Sequence, residues 1–262
     1  MSRVAQSTSL THLLYWSVRA VQQPREMNIS VVIPVLNEEK AIGAALTALS
    51  QLAPYEIIVV DGGSRDRSGE ICRQFDVKLI PSERGRARQM NHGARQASGE
   101  VLLFLHADTR LPQSGFADIA VALRDPRYLG GRFDVELEGR HRMLKIISAL
   151  INYRSRATKV GTGDQALFVR RAVFERMGGF PEISLMEDVA FCRQLKRMGD
   201  IACLRSRVIT SARRWEVDGI WRTIFRMWTL KSLYLAGALE TFLCRHALTL
   251  WPSWLKRRFP AR

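Results

Sequence analysis

The chain has few cysteines, and they form neither a metal-binding pattern nor a disulfide framework. Its four cysteines lie far apart, and no two of them make a Cys-x-x-Cys pair. Structural zinc sites need closely spaced Cys or His ligands, and small disulfide-rich domains need a dense set of cysteines. We therefore expect reduced thiols in a cytoplasmic protein, with no structural zinc.

Long uninterrupted hydrophobic runs are also missing. The apolar patch 13–18 is bounded by His12 and Arg19 and lacks a convincing small-residue cleavage site, which argues against a signal peptide. Within the segment 219–243 the longest charge-free run is 232–239, far shorter than the roughly 20 residues that span a bilayer. Met27 directly precedes the first clear strand and is an alternative start. Residues 1–26 are therefore predicted to be an N-terminal extension.

Acidic residues are scarce relative to basic ones. The chain has 40 Lys and Arg residues against 25 Asp and Glu residues, which gives a formal net charge of +15. From position 205 onward there are 12 basic and 3 acidic residues, so +9 of this charge lies in the last 58 residues. Such an asymmetry favours an anionic partner: a nucleic acid, an anionic membrane surface or a phosphorylated ligand.

Buried strands alternate with helices along the chain. The apolar runs 29–36, 56–61 and 101–105 predict strands, because short continuous apolar segments bounded by turns are typical of strands buried on both faces. The alternation predicts an α/β fold with a mainly parallel sheet. Further strands are predicted at 77–80, 130–137, 166–169, 201–204 and 208–210, and further helices at 66–75, 141–157, 171–177, 187–198 and 219–243.

Acidic residues follow three of the predicted strands. Glu38, Asp61 and Asp108 stand at comparable places, at or just after the ends of these apolar runs. Ligands bind beyond the carboxyl ends of the strands in an open α/β sheet, and a buried strand needs no acid there. The three acids therefore predict a ligand site at one edge of the sheet, although each alone is also explained as a helix or turn cap.

A basic amphipathic segment follows the predicted globular part. Trp221, Phe225 and Trp228 belong to a helical apolar pattern with an arginine-containing polar stripe. Basic, Trp-rich amphipathic helices are typical of the membrane interface, but an apolar face of this kind also suits closure of a domain core. The tail 251–262 adds two tryptophans and four cations, which favours an anionic membrane surface as a partner.

Six segments occur in the order VVIPVLNEE, VVDGGSRD, FLHADT, GTGDQALFVRR, GGFPE and MEDVAFCRQLKRMG. Together they resemble the family-two glycosyltransferases, from about Asn28 to Trp228. Within that family, ERGRARQMN, GDQ and the RRW segment resemble a bacterial subgroup associated with arsenosugar biosynthesis. The resemblance implies a Rossmann-like GT-A fold over residues 27–215, with 216–262 as a C-terminal basic amphipathic helix and tail.

The same resemblance implies a chemistry. It is transfer of a sugar, with inversion, from a nucleotide-diphosphate sugar to a hydroxyl of a small-molecule or lipid-linked acceptor. A divalent metal, Mn²⁺ or Mg²⁺, is the implied cofactor. The lack of membrane-spanning segments argues against a processive polymer synthase and fits a cytoplasmic enzyme, peripheral at the inner face of the cell membrane. Nucleic acid is not an expected partner, because the basic residues cluster beside the acid-lined site and on the terminal helix.

Individual residues take roles from their match to the family motifs. Asp108 matches the last acid of the family's DXD motif, the metal ligand, whereas His106 stands where the family usually has Asp. Asp188, preceded by Glu187, matches the general base. The implied donor-binding residues are Pro34, Asn37, Glu38, Asp61 and His106, and those near the acceptor and diphosphate are Asp164, Gln165, Arg214 and Trp215.

A diphosphate needs cations or backbone N–H groups, and the segment from Glu83 to Gly99 opens with three arginines at a helix start. We select Arg86 as the phosphate-binding cation, with Arg84 as the alternate. Two other functions compete with sugar transfer. A sugar-nucleotide nucleotidyltransferase would need a glycine-rich basic loop after the first strand, where this chain has Pro34 and Asn37. An inactive nucleotide-sugar-binding homologue stays open because of His106.

Overall fold

A single mixed sheet forms the centre of the computed structural model, which describes residues 27–235 apart from the side chains of Arg214, Lys231 and Leu235. Its eight strands lie in the order β3-β2-β1-β4-β7-β6-β8-β5. The strands are β1 (Ile29–Val35), β2 (Glu56–Asp61), β3 (Lys78–Pro81), β4 (Val101–Phe104), β5 (Thr109–Arg110), β6 (Tyr128–Glu138), β7 (Leu167–Arg170) and β8 (Asp200–Ser211).

The helices of the described residues follow the alternation that the sequence predicts. They are α1 (Ile42–Ser50), α2 (Ser68–Cys72), α3 (Arg86–Arg95), α4 (Gly115–Ala122), α5 (Arg142–Thr158), α6 (Arg171–Arg176), α7 (Glu187–Met198), α8 (Arg213–Asp218) and α9 (Ile220–Leu235). A short 3₁₀ turn, Gly163–Gln165, stands before β7. The sheet with flanking helices confirms the predicted α/β class.

The sheet has a parallel part and a mixed part. β3, β2, β1 and β4 pair in parallel, whereas β7 runs antiparallel to both β4 and β6. β8 is parallel to β6 and antiparallel to β5. The two short strands predicted at 201–204 and 208–210 are one long strand, because β8 follows β6 along its length through two register shifts. β5 is too short to show as a pattern in the sequence.

Two apolar layers cover the parallel part, because alternate residues of a strand point to opposite faces. Val31 and Ile33 of β1 pack in a layer with residues of α1, whereas Val32 packs in the opposite layer with residues of α3 and α7. At Gly93 of α3, an added Cβ would lie 2.4 Å from Val32 Cγ1, so this helix approaches the sheet closely enough to need glycine. The packing holds the start of α3 near the ends of β1 and β2.

A third apolar cluster joins the C-terminal helix to the domain. Leu144 and Ile147 of α5 are buried in it together with Trp215 of α8, and Ile220 and Ile224 of α9 pack against them. One face of α9 therefore covers part of the domain, and α8 spans the predicted boundary at 215/216. Within residues 27–235 no helix is both long and apolar enough to span a bilayer. The predicted extension 1–26 and the part 236–262 of the predicted C-terminal segment 216–262 lie outside the described residues.

Candidate functional site

An open cleft of about 890 Å³ lies where β1 and β4 end. Its wall is assembled from the segment after β1, the start of α3, the residues after β4, the 3₁₀ turn and the region from β8 to α8. The structure therefore brings together most of the predicted site. Predicted residues in the lining are Pro34, Asn37, Glu38, Arg86, His106, Asp108, Asp164 and Trp215.

The turns after β1 and β2 hold each other through side-chain hydrogen bonds. Asn37 adopts a left-handed backbone (φ 56°), and its Oδ1 accepts a 2.8 Å bond from the Arg65 N–H. Asp61 Oδ1 accepts bonds from the Ser64 N–H and hydroxyl, at 2.9 and 2.7 Å. Asp61 does not line the cleft, so it acts here as a cap of its own turn. Its direct contact with a donor stays a prediction.

Gln89 joins the ends of the two strands and was not among the predicted residues. Its side-chain amide donates bonds of 2.8 Å to the carbonyl oxygens of both Val35 and Val60. The residue is 4% exposed, on the face of α3 that packs on the sheet. The sequence offered one signal for this role. Gln89 lies among small and apolar residues of the predicted helix, such as Met90 and Gly93, where a polar side chain needs hydrogen-bond partners.

An ion pair spans the cleft from the β1 side to the β8 side. Arg213 Nη2 lies 2.8 Å from Glu38 Oε2. The hydrogen bond to Glu38, and the nearby charges of Glu38 and Asp108, raise the pKa of Arg213. The prediction selected the next residue, Arg214, whose side chain lies outside the described part. The RRW segment offers two adjacent arginines, and only the packing of α8 directs Arg213 into the cleft.

Asp108 and His106 have different surroundings although they are two residues apart. Asp108 is partly buried and lines the cleft. His106 is only 8% exposed, and its Nδ1 lies 3.2 Å from Asp164 Oδ1. A Cβ added at Gly163 would lie 2.4 Å from His106 Nε2, so the 3₁₀ turn packs directly on the imidazole. In the described part of the chain, no three His, Cys, Asp or Glu residues are grouped to hold a metal.

The first residues of α7 carry the acids that were predicted for catalysis. Asp188 Oδ2 accepts a 2.6 Å bond from the Gly163 N–H, and its Oδ1 accepts a 2.7 Å bond from the Val189 N–H. Burial, followed by the neighbouring charge of Glu187, raises the pKa of Asp188, while the Gly163 N–H and Arg86 oppose the rise. Asp188 lines a small cavity with Arg86 and His106, two residues that also line the cleft.

Glu187 and Arg86 face each other at the same place. Glu187 is 3% exposed, and its Oε1 lies 3.8 Å from Arg86 Nε. Arg86 is the first residue of α3 and follows Gly85, whose φ of 143° suits glycine. Arg86, the cation predicted to bind a diphosphate, is therefore held at the start of α3 by the buried carboxylate of Glu187.

Gln165 does not line the cleft. It has no exposed surface, and its amide donates to the Phe133 carbonyl oxygen at 3.2 Å and to Ser155 Oγ at 3.0 Å. Its Oε1 accepts from the Thr162 N–H at 3.3 Å. Because this side chain has no exposed surface, the predicted contact between Gln165 and an acceptor has no support in the structure and stays a prediction. Gln165 instead holds the turn that carries Gly163 and Asp164.

The middle of the chain matches a family model. Residues 30–178 match the model described as glycosyl transferase family 2. A probable glycosyltransferase of Bacillus subtilis, YdaM, is 25% identical over 228 residues, which cover 77% of this chain and 53% of that protein. An undecaprenyl-phosphate 4-deoxy-4-formamido-L-arabinose transferase of Pectobacterium carotovorum is 38% identical over 98 residues, or 32% of this chain and 30% of that protein. The chain spans about half or less of the length of these curated relatives.

A solved structure shows the same architecture. The mannosyltransferase PcManGT from Pyrobaculum calidifontis, in complex with GDP-Man and Mn²⁺, superposes with a TM-score of 0.54 at 24% identity, covering 76% of this chain and 63% of that one. The shared sheet and helices confirm the GT-A fold that the motifs implied. Since the family match extends over more than half of its length, the chain belongs to glycosyl transferase family 2.

Proposed function

We propose that this protein transfers a sugar from a nucleotide-diphosphate sugar to an acceptor hydroxyl, inverting the anomeric configuration, with Asp188 as general base. One observation carries the proposal. The cleft joins two carboxylates, Glu38 and Asp108, with two arginines, Arg86 and Arg213, while Asp188 lies directly behind it with a raised pKa. This reaction needs positive charge to stabilise the anionic leaving group and a base to accept the proton of the attacking hydroxyl.

The arginines provide the charge for the diphosphate. Each is paired with a carboxylate of the protein: Arg86 with Glu187 at 3.8 Å and Arg213 with Glu38 at 2.8 Å. A diphosphate between them would offer more negative charge than one carboxylate, and guanidinium groups bind phosphate oxygens in a bidentate manner. The first N–H groups of α3 add to this field. The mannosyltransferase of the same fold was solved with GDP-Man, which supports a donor of this class.

A divalent ion, Mn²⁺ or Mg²⁺, belongs to the proposed donor complex. Asp108 offers one carboxylate in the cleft, whereas the Nδ1 of His106 is engaged by Asp164. A single protein carboxylate fits an ion that takes its other oxygen ligands from the diphosphate and water. When bound, such an ion neutralises charge on the departing diphosphate. The Mn²⁺ in the mannosyltransferase structure supports this assignment.

Asp188 would take the proton from the attacking hydroxyl. As the acceptor oxygen forms a bond to the anomeric carbon, the bond from that carbon to the diphosphate oxygen breaks, and its electron pair leaves with the nucleoside diphosphate. A raised pKa makes the carboxylate a stronger base, nearer to the pH of the reaction. The N–H groups of Gly163 and Val189 fix the orientation of its two oxygens.

The acceptor class is part of the proposal. The Pectobacterium carotovorum relative is named for transfer involving undecaprenyl phosphate, which supports a lipid-linked acceptor. The cleft is open and its floor is polar enough for a hydroxyl or phosphate group, since Asp164 and Arg213 both line it. A small-molecule acceptor fits the same lining.

The test begins with the donor and then separates the two carboxylates. Thermal unfolding with UDP, GDP and their sugar nucleotides, with and without Mn²⁺, identifies the diphosphate that stabilises the protein most. With that sugar nucleotide, Asp188→Asn should lower turnover by about 10²- to 10⁴-fold, because general-base catalysis contributes that much. Its diphosphate-induced shift in midpoint should stay near that of the parent. Asp108→Ala should lose the Mn²⁺-dependent part of the shift.

Two variants serve as controls. Glu182→Gln changes an exposed acid of the same cleft that pairs with Arg88, and it should turn over like the parent. Asp164→Asn tests the other acid near the 3₁₀ turn. Loss of turnover in Asp164→Asn with full turnover in Asp188→Asn would transfer the role of base to Asp164. No stabilisation by any nucleoside diphosphate would overturn the proposed function.

A further inference from the structure

The exposed apolar side chains are concentrated on helices that pack together. Of the eleven large hydrophobic residues that are exposed in the described part of the chain, seven lie on α5, α8 and α9. These helices meet in the third apolar cluster, which is separate from the two layers that cover the sheet. The seven residues are Ile146, Leu150, Tyr153, Val217, Trp221, Phe225 and Trp228.

On each long helix the exposed residues form one row. Trp221, Phe225 and Trp228 follow each other at intervals of four and three residues, and they are 75%, 76% and 72% exposed. Residues so spaced share one face of a helix. Ile146, Leu150 and Tyr153 repeat the same spacing on α5. An aromatic row so fully exposed exceeds the scattered apolar residues that are normal on a protein surface.

The same two helices carry positive charge only. Their sequences contain seven Lys and Arg residues and no Asp or Glu. Two of these cations pair with acids of neighbouring elements, Arg156 with Asp134 and Arg226 with Asp218. Of the others, Arg142, Lys145 and Arg222 are exposed, whereas Arg154 is partly buried and faces Asp188. Aromatic residues with basic neighbours and no acids are the composition of helices that lie in the interface of anionic membranes.

We propose that the exposed rows of α5 and α9, called the docking face, bind the surface of an anionic lipid bilayer. A second copy of the chain fits poorly, since a two-fold interface would bring two faces of the same charge together. Residues 236–262 also fit poorly as a cover, because they contain five basic residues and one acidic residue. An anionic bilayer complements both the apolar rows and the charge.

Docking would place the mouth of the cleft beside the lipid headgroups. Trp215 and Val217 line the cleft, and α9 begins at Ile220, only three residues farther along. An acceptor anchored in the bilayer would therefore reach the cleft without leaving the membrane. This consequence rests on the proposed function, whereas binding of the docking face to lipid does not.

The test is flotation of the full chain with vesicles, measured without donor or acceptor. The parent should float with vesicles of phosphatidylcholine and phosphatidylglycerol and much less with pure phosphatidylcholine. Trp221→Gln, Phe225→Gln and Trp228→Gln, combined in one chain, should weaken binding about tenfold or more, because three aromatic side chains leave the interface. Leu150→Gln with Tyr153→Gln should weaken it to a smaller degree. Tyr55→Gln with Val121→Gln removes exposed apolar residues elsewhere and should change nothing.

Three other outcomes would each overturn the proposal. Unchanged flotation of the triple variant would show that the docking face does not bind lipid. A parent dimer that the triple variant converts to a monomer would identify the face as a contact between copies. Unchanged flotation with a large fall in the unfolding midpoint would show that another part of the chain covers it. If the parent transferred sugar but did not float with vesicles, docking would be overturned and the proposed function would stand. If the parent floated but did not transfer sugar, the proposed function would fail and docking would stand.

Discussion

The two sides of the cleft are held together in different ways. On the β1 side, which comprises the turns after β1 and β2, hydrogen bonds join two loops that follow neighbouring parallel strands, as between Asn37 and Arg65. On the β8 side, which comprises the 3₁₀ turn, the start of α7 and the end of β8, bonds join segments from separate elements. Gly163 binds Asp188, and Arg213 reaches Glu38 across 175 residues.

This difference separates binding from chemistry. The β1 side is a direct extension of the parallel sheet, so its loops are in place as soon as the strands pair. The groups proposed to act on the acceptor lie on the β8 side, where positions depend on how α5, α7 and α8 pack. We therefore expect changes on the β1 side to affect donor affinity, and changes at the 3₁₀ turn and the start of α7 to affect turnover. Arg213 is the exception on the β8 side, because it is proposed to bind the diphosphate.

Among changes that test this comparison, the largest effect on turnover should follow from filling the space at Gly163. A Cβ there would lie 2.4 Å from His106 Nε2, and the same residue's N–H orients Asp188. Gly163→Ala should therefore lower turnover by up to about 10²-fold, because the turn must shift to make room and a base displaced by about 1 Å loses rate on this scale. Gly69→Ala is the control, because its nearest atom would be 4.0 Å away. Equal turnover in both variants would contradict the contact between the turn and His106.

A pair of buried glutamines tests the comparison directly. Gln89 joins β1 to β2, and Gln165 holds the 3₁₀ turn. Replacing either by Ala should lower the free energy of unfolding by about 1–3 kcal/mol, since buried carbonyl groups lose their partners. Gln89→Ala should also weaken diphosphate binding, whereas Gln165→Ala should leave it and lower turnover. Denaturant unfolding and thermal shift measure both effects.

Gln194 provides the control for this pair. It is exposed, with one hydrogen bond to the Met177 carbonyl oxygen at 3.3 Å, so Gln194→Ala should change the free energy of unfolding by less than about 0.5 kcal/mol. If Gln89→Ala and Gln165→Ala altered donor binding equally, the two sides of the cleft would not be separable in function.

The smallest expected effect is a shift in pH dependence. Burial and the charge of Glu187 raise the pKa of Asp188, and only its deprotonated form accepts a proton. Turnover should therefore fall on the acid side at a higher pH than an ordinary aspartate would give. Glu187→Gln removes one cause of the rise, so the acid limb of the pH profile should move to lower pH. Glu182→Gln should leave the limb in place, and an unmoved limb in Glu187→Gln would argue against Asp188 as base.

The sequence predicted which edge of the sheet carries the cleft better than which side chains line it. Glu38 and Asp108 were expected at one edge because the ends of parallel strands coincide, and both line the cleft. Arg214 was selected because it matches the RW pair of a family motif, and its contact with the diphosphate stays a prediction. Adjacent helical residues differ in direction by about 100°, so the motif alone did not indicate that Arg213 lines the cleft. Gln165 was assigned to the acceptor side with Asp164 from the family resemblance, and a motif match does not show which of its side chains are buried.

Several features follow from the sequence alone. The apolar runs and their spacing determined an α/β sheet and the position of its carboxyl edge, because strand burial and period depend on local composition. The order of the motifs between them carried the resemblance to the family. Only the tertiary structure decided that Gly163 orients Asp188, that Arg213 pairs with Glu38 and that α5 and α9 expose rows of large hydrophobic residues. These contacts join segments distant in the chain, and their geometry depends on the packing of whole helices.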